Sequence, residues 1–295
     1  MIIKKHKSGN EYVKCTDVWV RNFIKNDVYP ITSTELFDRN DYGLVLKNEQ
    51  MNLNYPKISD VKIMFNKVVI ISDGYDFEKR HLFLSKLPKD VAIIAVNKAL
   101  KKWTLMQPNT TSINRRSINA FVVNNPYKEC FDYLPNPNSK YYPTCVSSIR
   151  TNHNFLKKYK GDVYTYVPTP EEKFGLNHKE NYYVDDYRNP ICAAIGLAYH
   201  FGVSKLMLVC CDDSFEDQRE FSIKLTNNLY TYPQQIKSQQ IINQNLFWLT
   251  HQENKNVRIA NFSDGPECIN SVYIKSEEQA LLFFMDQEEE SQDVK

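Results

Sequence analysis

The chain has 295 residues, 42% of them hydrophobic and 24% charged, with a formal net charge of +2 at pH 7. That length suits one large α/β domain with elaborations or two small domains, and the apolar share is enough for a sizeable core. The balanced, interspersed charge implies no general attraction to nucleic acid, and no uninterrupted run of about 18 apolar residues exists to span a membrane.

Residues 1–60 carry the apolar fragments VWVRNFI and YGLVLK among turn-forming Asn, Asp and Pro, and read as an N-terminal elaboration. The opening MIIKKHKSGNEY lacks the apolar run of a signal peptide. Seven cysteines, an odd number without a CxxC pair, argue for free thiols in a reducing compartment. The expected location is cytoplasmic.

From Lys67 the rhythm changes. KVVIIS (67–72) is a continuous β-branched run, the pattern of a strand buried on both faces. The helix-like DGYDFEKRHLFLSKLP follows, closed by Pro88. VAIIAVN (91–97) is a second buried strand, KALKKW a short helix, AFVVNN (120–125) a third strand and CVSS (145–148) a fourth. TNHNFLKKYKG then reads as a helix and VYTYVP as a strand. Alternating buried strands and helices imply a parallel sheet.

In NPICAAIGLAYHFG (189–202), Asn189 caps a helix, Pro190 suits its first position, the alanines pack closely on a sheet and Gly202 ends it. KLMLVCC (205–211) is the next strand, with Asp212 and Asp213 at its carboxyl end. EDQREFSIKLTNNLY (216–230) and PQQIKSQQIINQNLFWLTHQ (233–252) read as helices. VRIANFS (257–263) is a further parallel-type strand and SVYI an edge strand. A capping box of Ser276 and Gln279 opens SEEQALLFFMD. The division is thus 1–60, a main domain over 61–286, and a solvated acidic tail over 287–295.

In open α/β sheets ligands bind outside the carboxyl ends of the strands, which is where the polar candidates fall. Asp212 and Asp213 either cap the next helix or hold Mg²⁺ against a phosphate, as hard carboxylate oxygens suit that ion. Asn97, Asn124 and Asn125 each end a strand; their amides can read a base or sugar, or simply form turns. Ser147 lies towards the end of the CVSS strand. Arg188, in the loop YYVDDYRNP, can bind a phosphate or close a local salt bridge. Adjacent Cys210 and Cys211 point to opposite faces of a strand, so they read as buried structural thiols rather than metal ligands. The chain carries no HExxH, GxSxG, GxxxxGK[ST] or GxGxxG motif. With only 8 glycines it has few places to wrap backbone around a pyrophosphate.

The order VVIISDG, AIIAVN, FVVNNP, then ICAAIGLAYHFGVSKLMLVCCD and NFSDGP resembles the MptE-like hydroxymethylpterin diphosphokinase family. That family also supplies the central domain of the motility-associated factors of flagellin glycosylation. Bacterial sialyltransferases have a similar layout. The resemblance covers roughly three quarters of the chain and implies a Rossmann-like, doubly wound, mainly parallel sheet. It also implies a transferase that takes a nucleotide or nucleotide-sugar donor and a small-molecule or glycan acceptor. Ser72 and Gly74 would lie near the phosphates, Asn97, Asn124, Asn125 and Ser147 near the nucleoside, and Arg188, Tyr232, Gln234 and Gln235 near the substrate. Mg²⁺ at Asp212 and Asp213 would assist.

Two departures stand out. The family's first turn, typically Gly-x-Gly-Pro-Ser, here reads Ser72-Asp73-Gly74-Tyr75-Asp76, placing two carboxylates where a phosphate is repelled unless a cation intervenes. The sialyltransferases' histidine base has no counterpart in LYTYPQQ. Three functions follow: a diphosphate- or glycosyl-transferring enzyme, a glycosyltransferase using an activated acidic sugar, or a binding module that kept the fold and lost the phosphate turn.

Overall fold

A computed structural model describes residues 3–5, 11–15, 18–21, 39–61, 65–74, 76–106, 117–135, 139–169, 183–186, 189–211, 223–224, 230–231, 239, 241–243, 245–246, 257–263 and 271–285. In chain order the strands are β1 (Ile3–Lys5), β2 (Glu11–Cys15), β3 (Val18–Arg21), β4 (Lys67–Ile71), β5 (Val91–Val96), β6 (Ala120–Val123), β7 (Thr144–Ser148), β8 (Val163–Pro168), β9 (Tyr183–Val184), β10 (Lys205–Val209), β11 (Ile223–Lys224), β12 (Tyr230–Thr231), β13 (Arg258–Phe262) and β14 (Val272–Tyr273). The α-helices are α1 (Arg39–Asn52), α2 (Phe77–Arg80), α3 (Ala99–Met106), α4 (His153–Lys158), α5 (Pro190–His200) and α6 (Glu277–Phe284).

β1 to β3 form a small antiparallel sheet. The main sheet has nine strands in the order β14-β13-β10-β4-β5-β6-β7-β8-β9, and every neighbouring pair is parallel. This is the doubly wound α/β fold that the alternation of buried strands and helices implies. Both faces are covered, which is why the central strands are apolar without alternation. On β4, Val69 and Ile71 enter one core with Phe77, Phe83, Leu100, Trp103, Phe155 and Phe284. Val68 and Ile70 enter the other, with Ile191, Ala194, Ala198, Ile242 and Leu246. Each such fully buried aliphatic side chain contributes about 1.5–3 kcal/mol.

Helix α5 lies flat under β4, β5 and β6 because its sheet-facing side chains are small. A Cβ on Gly196 would come within 2.8 Å of Val184 Cγ1, so only glycine lets β9 approach here. Asn189 accepts from the Ile191 and Cys192 amides, Pro190 opens the helix, and Gly202 leaves it at φ 82°, as expected of a left-handed terminus.

The structure revises several sequence expectations. The stretch after β4 is not one helix but the single turn α2 and a separate 3-10 turn, Phe83–Lys86. Residues 223–224 and Tyr230, expected in a helix over 216–230, lie instead in an antiparallel pair, 223–224 with 230–231. The β-branched and aromatic Ile223, Tyr230 and Thr231 suit that ladder, and Thr226-Asn227-Asn228 between them is turn-forming sequence. Strand β10 stops at Val209, two residues early, because Cys210 takes φ 55°. At α6 Ser276 caps the Gln279 amide, while Gln279 Oε1 accepts from the Lys275 amide rather than that of Ser276. No helix among the described residues is long and apolar enough to cross a membrane.

Candidate functional site

The sheet reverses its winding between β4 and β10. From β4 the chain runs outward through β5 to β9, returns under the sheet by α5, and then builds β10, β13 and β14 on the other side. Such a switch point leaves the loops at the carboxyl ends of its two strands diverging, which makes the crevice where ligands bind in open α/β sheets.

After β4 the backbone stays stitched to β10. Ser72 N–H donates to Val209 O at 3.1 Å and Gly74 N–H to Cys210 O at 3.1 Å. Both amides are thus engaged by the sheet. Of the two carboxylates in the turn, Asp76 is buried and ion-paired with Arg80 one helical turn on, and Arg80 Cζ lies 3.8 Å above the Phe262 ring. The chain supplies its own cation there. Asp73 contributes its carbonyl, which accepts from Lys102 Nζ at 2.8 Å, and the same ammonium lies 5.6 Å from the Phe77 ring.

At the ends of β5 and β6, Asn97 sits at φ 49°, in the left-handed region that an L-residue enters at some cost. Its Oδ1 is buried without a hydrogen-bond partner. Buried polar atoms are nearly always satisfied, so an orphan on strained backbone marks a place where a ligand can supply the donor. Asn124 is partly buried. Asn125 is committed to its own turn: Oδ1 accepts from Tyr127 N–H at 2.8 Å, and Nδ2 donates to Tyr133 Oη at 3.0 Å. Burial pushes the Tyr133 hydroxyl up from its ordinary pKa; Asn125 lowers it somewhat, and the Asp73 charge is among the smaller upward influences. Ser147 is buried, with its hydroxyl on Ser148 O at 3.2 Å.

At the end of β10, Cys210 and Cys211 are both buried and enter opposite cores. Cys211 N–H donates to Ser263 Oγ at 3.2 Å, and its thiol to Val209 O at 3.3 Å. Cys130, Cys145 and Cys192 are also buried and form no disulfide. Asp212, Asp213, Arg188, Tyr232, Gln234 and Gln235 lie outside the described residues. Among the described residues no three His, Cys, Asp or Glu side chains gather closely enough to hold a metal ion.

A second polar system, absent from the sequence reading, occupies the carboxyl ends of β6 and β7. Helix α1 lies there. Asn52 Nδ2 donates to Ile149 O at 2.8 Å and Thr151 O at 2.7 Å, and Asn48 Nδ2 to Pro126 O at 3.3 Å and Arg150 O at 3.2 Å. Glu49 pairs with Arg150 Nε at 2.7 Å, and Asn52 Oδ1 with His153 Nδ1 at 2.9 Å. Next to it, at β8, Tyr166 Oη donates to Asp186 Oδ2 at 3.1 Å, and burial with the Asp186 charge drives that phenol well above its ordinary pKa. Lys102, Arg80 and Tyr133 were likewise not singled out from sequence. The one signal, for Lys102 alone, was the spacing of Lys98, Lys101 and Lys102 after the strand-end Asn97.

No family model matches this chain, and no curated protein matches it. Among solved structures, a MAf glycosyltransferase from Magnetospirillum magneticum AMB-1 shares the fold at a TM-score of 0.55 and 13% identity. The likeness covers 81% of this chain and 38% of the length of that protein.

Proposed function

We propose that this chain is a glycosyltransferase that draws on a nucleotide-sugar donor bound at the carboxyl ends of β4, β5, β6 and β10. The observation that carries the reading is Asn97, strained and with a buried, partnerless oxygen, beside the switch point of the sheet. The glycosyltransferase with the same fold adds support. In this reading Asn97 accepts a hydrogen bond from the nucleoside or sugar, Asn124 lines the same edge, and Arg188 with Tyr232, Gln234 and Gln235 meets the acceptor, a small molecule or glycan. Mg²⁺ assistance would rest on Asp212 and Asp213, which directly follow Cys211 in the sequence. A cytoplasmic location belongs to the same proposal, supported by buried, unbridged thiols.

A second reading, a binding or assembly module without catalysis, draws on a specific observation. The Ser72 and Gly74 amides are engaged by β10 rather than held out for a phosphate. A thermal-shift series with CMP-, UDP- and GDP-sugars and ATP, each with and without Mg²⁺, separates the two, because a ligand that binds only the native state raises its stability. The enzyme reading expects one nucleotide class to raise the melting temperature and its sugar conjugate to be turned over. No shift with any of them would sink the donor site and favour the binding module.

A further inference from the structure

Resting on the nucleotide-sugar reading, we infer that the donor's phosphate is received by the Lys102 ammonium, in place of backbone amides from a glycine-rich turn. Three observations converge. First, the turn after β4 has spent its Ser72 and Gly74 amides on β10, so the usual donors are occupied. Second, Lys102 reaches back from α3 to that same turn, its Nζ on the Asp73 carbonyl at 2.8 Å. An ammonium has three donors, and the described residues take one of them. Third, the start of α3 is built against the usual rule. Helix N-termini favour acids, yet Lys98, Lys101 and Lys102 lie there and the first turn has no acid. Such a start disfavours the helix unless an anion sits by it.

The position agrees with the orphaned acceptor. The last paired residues of β4 and β5 are Ile71 and Ala95, and Asp73 and Asn97 each lie two residues beyond. Lys102 is thus tethered beside the strand end that carries the partnerless Oδ1 of Asn97. A phosphate on Lys102 and a sugar or nucleoside hydroxyl on Asn97 are two parts of one nucleotide. Arg80 is not an alternative recipient, since its guanidinium already holds Asp76 and stacks on Phe262. The assignment also eases the charge problem of the turn: the Asp76 carboxylate is neutralised internally by Arg80, and Lys102 brings a second cation to the turn at the Asp73 carbonyl.

The test is calorimetric titration of the full chain with CMP, UDP and GDP and with cytidine, uridine and guanosine, in EDTA and again in Mg²⁺. Lys102→Met keeps an unbranched side chain of similar length and removes the charge; Lys102→Arg keeps the charge. For whichever nucleotide binds, Lys102→Met should weaken it roughly tenfold to a hundredfold, the scale of a hydrogen bond to a charged group. Affinity for the matching nucleoside should be unchanged, and Lys102→Arg should retain most of the nucleotide affinity. The loss should be the same in EDTA and Mg²⁺. Equal nucleotide affinity in parent and Lys102→Met overturns the assignment while leaving the donor site standing. A parallel loss of nucleoside affinity overturns it too, by showing a structural role. If no nucleotide binds the parent, the donor-site reading fails first and the assignment falls with it.

Discussion

The carboxyl edge of the sheet has two halves that are finished differently. At β6 and β7 the carbonyls of Pro126, Ile149, Arg150 and Thr151 are closed by amide donors from α1, and Arg150 is paired with Glu49. At β4, β5 and β10 the chain instead keeps two non-glycine residues at positive φ, Asn97 and Cys210, and a buried oxygen without a donor. The first half is what a strand edge looks like when stability alone is served. The second retains local costs that stability does not explain, and these are what the proposed donor site would account for.

The sharpest way to break this comparison is at Asn52. Its side chain is fully buried and makes three hydrogen bonds. Asn52→Ala should cost about 3 kcal/mol in urea unfolding, since it removes the donor of two buried hydrogen bonds to backbone carbonyls. A change no larger than that of a surface substitution would mean that α1 does not close its half. The next effect is alkaline. Burial raises the Cys130 thiol from 9.0 to about 12 and raises the Tyr159 and Cys145 hydroxyl and thiol in the same direction. For an acid whose folded pKa is raised, the unfolded chain loses its proton first. The stability these groups contribute is therefore complete below pH 9 and falls as pH rises towards their folded values. Each contributes a slope of at most about 1.4 kcal/mol per pH unit. Urea midpoints measured from pH 8 to 10.5 should fall, and Cys130→Ala should flatten the fall. The smallest effect lies on the acid side. Burial lowers the His200 pKa from 6.5, so its contribution is complete above that value and declines as pH drops through the folded pKa. His200→Gln should remove a shallow acid-side slope, and an unchanged slope would contradict the assignment.

What could be read from the sequence, and what could not, divides along the same line. The central strands were legible because a strand buried on both faces must be a continuous β-branched run, as in KVVIIS and VAIIAV. The helix α5 was legible from its cap, its proline and its small residues. Helix α1 was not: RNDYGLVLKNEQMN has a glycine inside it and mixed polarity, and its anchoring rests on bonds to carbonyls about a hundred residues away. The same holds at the candidate site. The turn residues and Asn97 could be named from their place at strand ends, but the engagement of Ser72 and Gly74 by β10 depends on which strand lies next to β4. The role of Lys102 depends on a carbonyl 29 residues earlier in the chain, and KALKKW alone looks like a solvated face.

The central claim, that the strain and the orphaned oxygen at Asn97 are kept for a ligand, is tested most directly by Asn97→Gly. Glycine adopts φ 49° without cost, so the variant should be as stable as the parent or more stable by about 0.5–1 kcal/mol. It also deletes the acceptor. Calorimetric titration with the nucleotide that the parent binds should then show that affinity falls roughly tenfold or more while unfolding stability holds or rises. Undiminished nucleotide affinity in a stable Asn97→Gly would contradict the account.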